Sequence, residues 1–180
     1  MPNEIKVEYA KTPYGELIIG SFNDKLCICD WRYRKMRSAI DHRLKTLLKA
    51  DMVEGGSSVI EETKTQISEY FKGERVEFDI PLLLVGTDFQ KDVWSALQQI
   101  PYGKTETYLG LSKKLKNEKA IRAVASANGA NAISIIVPCH RIIGADGSMV
   151  GYAGGLQTKK KLLLLENALK TSQLSLFDSF

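Results

Sequence analysis

The chain has 180 residues, a formal net charge of +4, and 44% apolar and 26% charged side chains, which fits one globular domain or two small ones and argues against wholesale disorder. The longest aliphatic runs, 82–85 and 162–165, fall far short of the ~20 apolar residues a membrane helix needs. No basic and apolar leader opens the chain, so no membrane partner is expected. Three cysteines, Cys27, Cys29 and Cys139, do not make a disulfide framework, and a reduced, cytoplasmic protein is expected.

The first thirty residues read as β. Glu16-Leu17-Ile18-Ile19-Gly20 follows the turn signal Pro13-Tyr14-Gly15, and Asn23-Asp24 separates it from Leu26-Cys27-Ile28-Cys29, which predicts a hairpin. Ile40, Leu44, Leu47 and Leu48 share one face of a helix expected over 38–52. After the break at Gly55-Gly56, Ser58 and Glu61 read as a capping box, opening a helix whose apolar stripe of Ile60, Ile67, Tyr70 and Phe71 ends before Gly73. Residues 76–85, interrupted by Pro81, read as a strand or an extended linker to a second unit. Thr87 and Gln90 form another capping box, and Val93, Trp94, Leu97 and Ile100 supply the buried face that follows. Helices are expected over 108–116 and 118–128. Their short connection is compatible with a helix-turn-helix, and also with an ordinary helical hairpin, which spacing alone favours. Ile135-Ile136-Val137 reads as a β-branched strand ending at Pro138, and a last helix is expected over 158–169. The expected division is an α/β unit over 1–85, a mainly helical unit over 86–170 and a flexible tail over 171–180.

Charge divides along the same line. Residues 1–89 carry 13 basic and 15 acidic side chains, whereas residues 90–180 carry 12 basic and 6 acidic ones, a balance of +6 that hints at a polyanionic partner. The second half also holds the run Pro138-Cys139-His140-Arg141. Cationic neighbours favour the nucleophilic thiolate. Adjacency alone does not bring side chains together, and a bare Cys-His pair is usually structural.

The wider context changes that reading. Pro138-Cys139-His140-Arg141 followed by Gly151-Tyr152-Ala153-Gly154-Gly155-Leu156 strongly resembles the active-site signature of the O6-alkylguanine-DNA alkyltransferases, or methylated-DNA–protein-cysteine methyltransferases. The likeness extends through Gly86-Thr87-Asp88-Phe89-Gln90, Val93-Trp94, Ile100-Pro101-Tyr102-Gly103, Arg122-Ala123-Val124 and Glu166, and more loosely to Thr12-Pro13-Tyr14-Gly15-Glu16-Leu17. It implies an α+β fold: a small N-terminal domain with an antiparallel sheet and helices, ribonuclease H-like, and a mainly helical C-terminal domain with a winged-helix-like helix-turn-helix.

The implied activity is single-turnover DNA repair, in which the alkyl group of O6-alkylguanine passes irreversibly to Cys139, with O4-alkylthymine as a second candidate substrate. By the same resemblance, His140 acts as base toward Cys139 through a bridging water and Glu166 orients His140. Tyr108 donates to the purine ring as charge develops there. Tyr152 and the Ala153 backbone N–H form the pocket wall and the donor to O6, and the Cys139 and Ile142 carbonyls read the exocyclic amine. Asn131 braces the turn before the active site, and Lys159 orients Tyr152. Ala153 replaces a serine of some relatives, which leaves the backbone donor intact. Because the target atom lies inside the duplex, the base must leave the stack. Arg122, with Ala123 on a small-residue helix, matches the finger that fills the vacated position from the minor groove.

No cofactor is expected, and no metal. Some relatives hold zinc through two cysteines and two histidines, but beside Cys27 and Cys29 this chain has only His42 and the candidate base His140. The expected partner is double-stranded DNA bearing O6-alkylguanine, and the chain is expected to act as a monomer. Two rivals stand beside this reading, a non-catalytic alkylated-DNA sensor and a cysteine hydrolase. The tail has the composition of a segment that folds back on its domain. However, Gln173-Leu174-Ser175-Leu176-Phe177 also resembles the pentapeptide by which bacterial DNA-handling proteins dock on the replication sliding clamp. Leu176 and Phe177 would then fill an apolar pocket and Gln173 would bond at its edge.

Overall fold

The computed structural model describes residues 3–169, so the candidate clamp residues Gln173, Leu174, Leu176 and Phe177 lie outside the described residues. The N-terminal part is a four-stranded sheet of order β3-β2-β1-β4. β1 (Asn3–Thr12), β2 (Gly15–Phe22) and β3 (Lys25–Trp31) form an antiparallel meander, and β4 (Ala50–Glu54) lies parallel to β1. Both sheet faces are covered, which is why Leu17-Ile18-Ile19 and Leu26-Cys27-Ile28-Cys29 are continuously apolar instead of alternating. Ile18, Cys27 and Ile28 face helix α1 (Arg37–Leu48), whereas Leu17, Ile19 and Cys29 face helix α2 (Ser58–Phe71) and the C-terminal half. A bulge opposite Gly20/Ser21 inserts Cys27 and turns it to the same side as Ile28. A β-carbon on Gly20 would stand 2.6 Å from Ile28 and 3.0 Å from the Lys6 carbonyl, so only glycine fits this crossing.

Three sequence expectations shift here. The helix expected over 38–52 stops at Leu48, because Lys49 turns left-handed (φ 49°) and 50–54 then pair with β1 as the edge strand β4. The N-cap of α2 is Ser57, not Ser58: its hydroxyl accepts from the Ile60 N–H at 3.2 Å and contacts Ser21 Oγ at 2.7 Å. The last helix, α6, runs Leu156–Leu165, earlier than 158–169, and Glu166 is its C-cap.

The segment after α2 is extended and docks on the outer edge of β3, where Leu26 N–H donates to the Pro81 carbonyl and Leu83 N–H donates to that of Leu26. The C-terminal half is mainly helical. Helix α3 (Asp88–Leu97) opens on the capping box of Thr87 and Gln90, both of whose hydrogen bonds form. Helix α4 (Tyr108–Lys114) is capped by the Thr107 hydroxyl, and a 3₁₀ turn, Glu118–Ala120, leads into helix α5 (Ile121–Gly129). Two short strands, β5 (Glu106–Thr107) and β6 (Ile142–Ile143), pair in parallel. One large core runs from Leu17 and Tyr70 through Trp94 and Val124 to Cys139 and Leu162, so sheet and helices share their interior. Among the described residues no helix is long and apolar enough to cross a membrane.

Candidate active site

The segment carrying Cys139 is anchored to the same edge of β3. Cys29 N–H donates to the Ala132 carbonyl at 2.9 Å, and Ser134 N–H donates to that of Cys29 at 2.7 Å. Beyond this single bridge the expected strand over Ile135-Ile136-Val137 does not form. Asn131 takes over the role of a strand partner: its amide donates to the carbonyls of Ile133 (3.2 Å) and Val137 (2.9 Å), and its oxygen accepts from Ile133 N–H (2.9 Å). Ile135 adopts φ 72°, a left-handed conformation that costs a β-branched residue about 1–3 kcal/mol and reverses the chain. Pro138 then leads into a single 3₁₀ turn, Cys139–Arg141.

Cys139 lies in the wall of a cavity of about 720 Å3. Tyr108, Asn131, Tyr152 and Ala153 line it too, together with Ala125 and Asn128 of α5 and the loop 33–36 of the N-terminal half. Tyr108 Oη donates to the Val150 carbonyl at 3.2 Å. Lys159, fully buried on α6, reaches the Tyr152 loop through its backbone, donating to the carbonyls of Val150 (3.1 Å) and Gly151 (3.2 Å). Burial pulls the Lys159 ammonium down to about 8. Ile142 N–H donates to the Cys139 carbonyl, closing the turn. Arg122 and Ala123 are exposed on α5 and stand outside the cavity lining, whereas Glu166 and His140 lie behind it, fully enclosed.

Burial raises the Cys139 thiol, outweighing the Asn131 hydrogen bond and the more distant Lys159 and Arg34 charges that lower it. The resting group is therefore a thiol, contrary to what its cationic sequence neighbours suggest, and ionisation requires a base. Burial lowers His140, and Arg141 and Lys159 add to that effect, while the Glu166 charge opposes it. The imidazole is thus neutral near pH 7. Burial tends to raise Glu166, but the His140 and Arg141 contacts dominate and hold it well below the usual carboxylate range. A carboxylate only accepts hydrogen bonds. The 2.7 Å contact between His140 Nε2 and Glu166 Oε1 therefore puts the proton on Nε2 and leaves the Nδ1 lone pair free. Nδ1 is buried and has no hydrogen-bond partner among the described residues.

Several supporting residues escape a reading of the sequence. Tyr70 Oη of α2 donates to Glu166 Oε1 at 2.7 Å. Arg141, visible as part of the signature run, donates to both Glu166 oxygens (2.9 and 3.0 Å) and to the Ile100 carbonyl (2.6 Å). Trp31 Nε1, at the end of β3, donates to Tyr152 Oη at 3.0 Å, and a β-carbon on Gly154 would collide with its indole at 2.8 Å. The apolar bodies of Tyr70 and Trp31 read as core, and only their polar tips, which spacing does not reveal, connect them to the site. Cys27 and Cys29 are buried strand residues, and burial pushes the Cys27 thiol up to about 12. His42 lies exposed on α1, and no group of three or more His, Cys, Asp or Glu side chains is placed to hold a metal among the described residues.

Residues 5–84 match the family described as 6-O-methylguanine DNA methyltransferase, ribonuclease-like domain, and residues 88–168 match the DNA binding domain of the same description. A methylated-DNA–protein-cysteine methyltransferase of Methanosarcina acetivorans is 53% identical over 107 residues, 59% of this chain and 69% of that protein. The chain belongs to the 6-O-methylguanine DNA methyltransferase family. A Methanosarcina barkeri member is 40% identical over 156 residues, covering 87% of this chain and 93% of its own. The fold is also that of the family. The crystal structure of the Mycobacterium tuberculosis O6-methylguanine methyltransferase superposes with a TM-score of 0.77 at 37% identity, covering 97% of this chain and 99% of that one. The same mycobacterial protein in complex with DNA gives 0.78 at 36% identity, with the same coverage.

Proposed function

We propose that this methyltransferase repairs DNA by moving the alkyl group of O6-alkylguanine onto Cys139, once per molecule. The observation that carries the reading is the pairing of a cavity-lining thiol with a neutral histidine whose one free ring nitrogen is a base. His140 Nδ1 takes the Cys139 proton through an intervening water, and Glu166 stabilises the imidazolium that forms. The thiolate attacks the alkyl carbon in line; the S–C bond forms, the C–O6 bond breaks, and its electron pair passes to the guanine. The Tyr108 hydroxyl exchanges its bond to the Val150 carbonyl for one to the purine ring, and the Ala153 N–H donates to O6. Tyr152 walls the base, Lys159 and Asn131 hold its loop and turn, and the Cys139 and Ile142 carbonyls accept from the exocyclic amine. The thioether has no resolving step, so each molecule is consumed. A hydrolase would need one, and a sensor would have no use for an enclosed, base-served thiol.

The partner is double-stranded DNA, a reading supported by the mycobacterial relative's structure in complex with DNA. The exposed face of α5, with Arg122 and Ala123, enters the minor groove and stabilises the extruded base, while its other residues Ala125 and Asn128 line the cavity that receives it. The protein works as a cytoplasmic monomer divided near residue 85, and the tail segment Gln173–Phe177 tethers it to the replication sliding clamp. The decisive experiment is incubation with one equivalent of O6-methylguanine DNA followed by intact and peptide mass measurement. One methyl mass on the Cys139 peptide is expected, with none in Cys139→Ser; transfer persisting in that variant refutes the assignment.

A further inference from the structure

Glu166 is 1% exposed, and the donors at its two oxygens are unequally divided. Among the described residues Oε2 accepts only from Arg141 Nε, at 2.9 Å. Oε1, the oxygen that holds His140 Nε2 at 2.7 Å, also accepts from an Arg141 terminal nitrogen at 3.0 Å and from Tyr70 Oη at 2.7 Å. Tyr70 is itself 0% exposed, comes from α2 in the N-terminal half, and meets Glu166 across 96 positions of sequence. Burial and the neighbouring carboxylate push its phenol far above the ordinary tyrosine range, so it remains a donor at every pH the protein tolerates.

Donors sharing one carboxylate oxygen compete for its charge, and each weakens the pull available to the others. The groups facing His140 and its carboxylate are Cys139 and Arg141 on its own turn, Lys159 and Glu166 of α6, Tyr152 of the preceding loop, Tyr102 after α3, and Tyr70. Among the described residues only Glu166 raises the basicity of the imidazole. A hydroxyl placed on Glu166 Oε1 therefore trims the one influence that opposes desolvation. It also fixes the carboxylate in the plane where it receives Nε2–H, which keeps Nδ1 as the base.

We propose that Tyr70 is a positioning residue of the alkyl-transfer reaction, its hydroxyl sharing Glu166 Oε1 with His140 so that helix α2 holds the base in one tautomer and limits its proton affinity. This rests on the reading of His140 as base and Glu166 as its orienter. Tyr70→Phe keeps the ring packing against Phe71, Phe78 and Tyr102 and removes only the donor. The transfer rate of the full chain on O6-methylguanine DNA falls on the acid side as His140 protonates. In Tyr70→Phe that inflection is expected about half to one pH unit higher, a roughly threefold to tenfold gain in proton affinity. A purely structural tyrosine would lower the melting temperature and leave the inflection in place.

Because the chain has two histidines, His42 and His140, ¹⁵N spectra of the rings report the His140 titration and tautomer directly, and should show the same displacement. In the wild type, the Tyr70 hydroxyl proton should resonate downfield and show an Overhauser contact to the Nε2 proton of His140. This measurement stands even if the variant folds poorly. Glu166→Gln separates the two layers of argument: if it transfers at the wild-type rate, the base relay itself is wrong. If it loses transfer while Tyr70→Phe leaves inflection and titration unchanged, or the hydroxyl contact is missing, the role of Tyr70 is overturned and the relay stands.

Discussion

Replacing Glu166 by glutamine keeps the shape of the side chain and removes its charge. Arg141, buried and donating twice to this carboxylate, is left with a neutral partner, and one amide N–H of the new side chain is turned toward existing donors. Breaking a buried charge pair on one side costs about 3–5 kcal/mol. A second route leads to a similar figure: a carboxyl held at about 2 instead of 4.5 contributes roughly 3 kcal/mol at neutral pH. For a chain of this size that corresponds to a melting temperature lower by about 6–20 °C. The sign in pH follows from the depressed folded value. The contribution is complete above the unfolded value near 4.5 and disappears as pH falls toward about 2. Urea unfolding, followed through the buried Trp31 and Trp94, should therefore show the full gap between wild type and Glu166→Gln at neutral pH and a shrinking gap under acid conditions. A gap independent of pH, or a variant as stable as the wild type at neutral pH, would refute the claim that the carboxylate charge holds this cluster together.

Arg122→Ala should slow repair of duplex DNA while sparing reaction with free O6-benzylguanine, which requires no extrusion of a base; equal losses in the two rate measurements would make Arg122 a fold residue instead. A chain ending at Thr171 should lose binding to purified sliding clamp in a titration, with the full chain binding in about the micromolar range, and should repair free oligonucleotides unchanged. Equal clamp binding by both chains, or by neither, would exclude the tail as the ligand.

The elements that were legible in the sequence are those whose stabilising contacts are local. The Thr87–Gln90 box and the apolar face of α3 depend on neighbours three and four positions away, and both form as spaced. The errors fall where a distant partner decides. Asp51 and Met52 fall within the helix expected over 38–52, yet pairing with β1 makes them strand. Ile135-Ile136-Val137 has high β-propensity, but the Ile136 and Val137 N–H groups bond back to the Ser134 and Ile133 carbonyls and Asn131 takes the Val137 carbonyl, so the segment turns instead of pairing. At the site, the Pro-Cys-His-Arg run and its likeness to a known signature were visible because they are contiguous. Tyr70 and Trp31 were not, since a buried aromatic reads as packing until the partner of its polar tip is known.

That partner pattern also explains why the N-terminal half is joined to the chemistry at all. Helix α5 ends with carbonyls that no further turn can satisfy. Arg34 of the N-terminal half donates to the carbonyls of Gly129 (2.6 Å) and Asn131 (3.1 Å), and Arg43 donates to that of Ala130 (2.9 Å). Positive charge at a helix C-terminus also complements its dipole. Arg34 is in turn held by the fully buried Asp30, whose other oxygen accepts from Ser134 Oγ at 2.9 Å and from the Trp31 N–H. One carboxylate thus links the end of the proposed DNA helix to the segment that leads to Cys139, and the next residue along β3 holds Tyr152. The link continues to the thiol, since the Val137 carbonyl accepts from both the Asn131 amide and the Cys139 N–H. The sheet edge therefore fixes the position of the proposed acceptor Cys139, although none of its residues need touch the alkyl group.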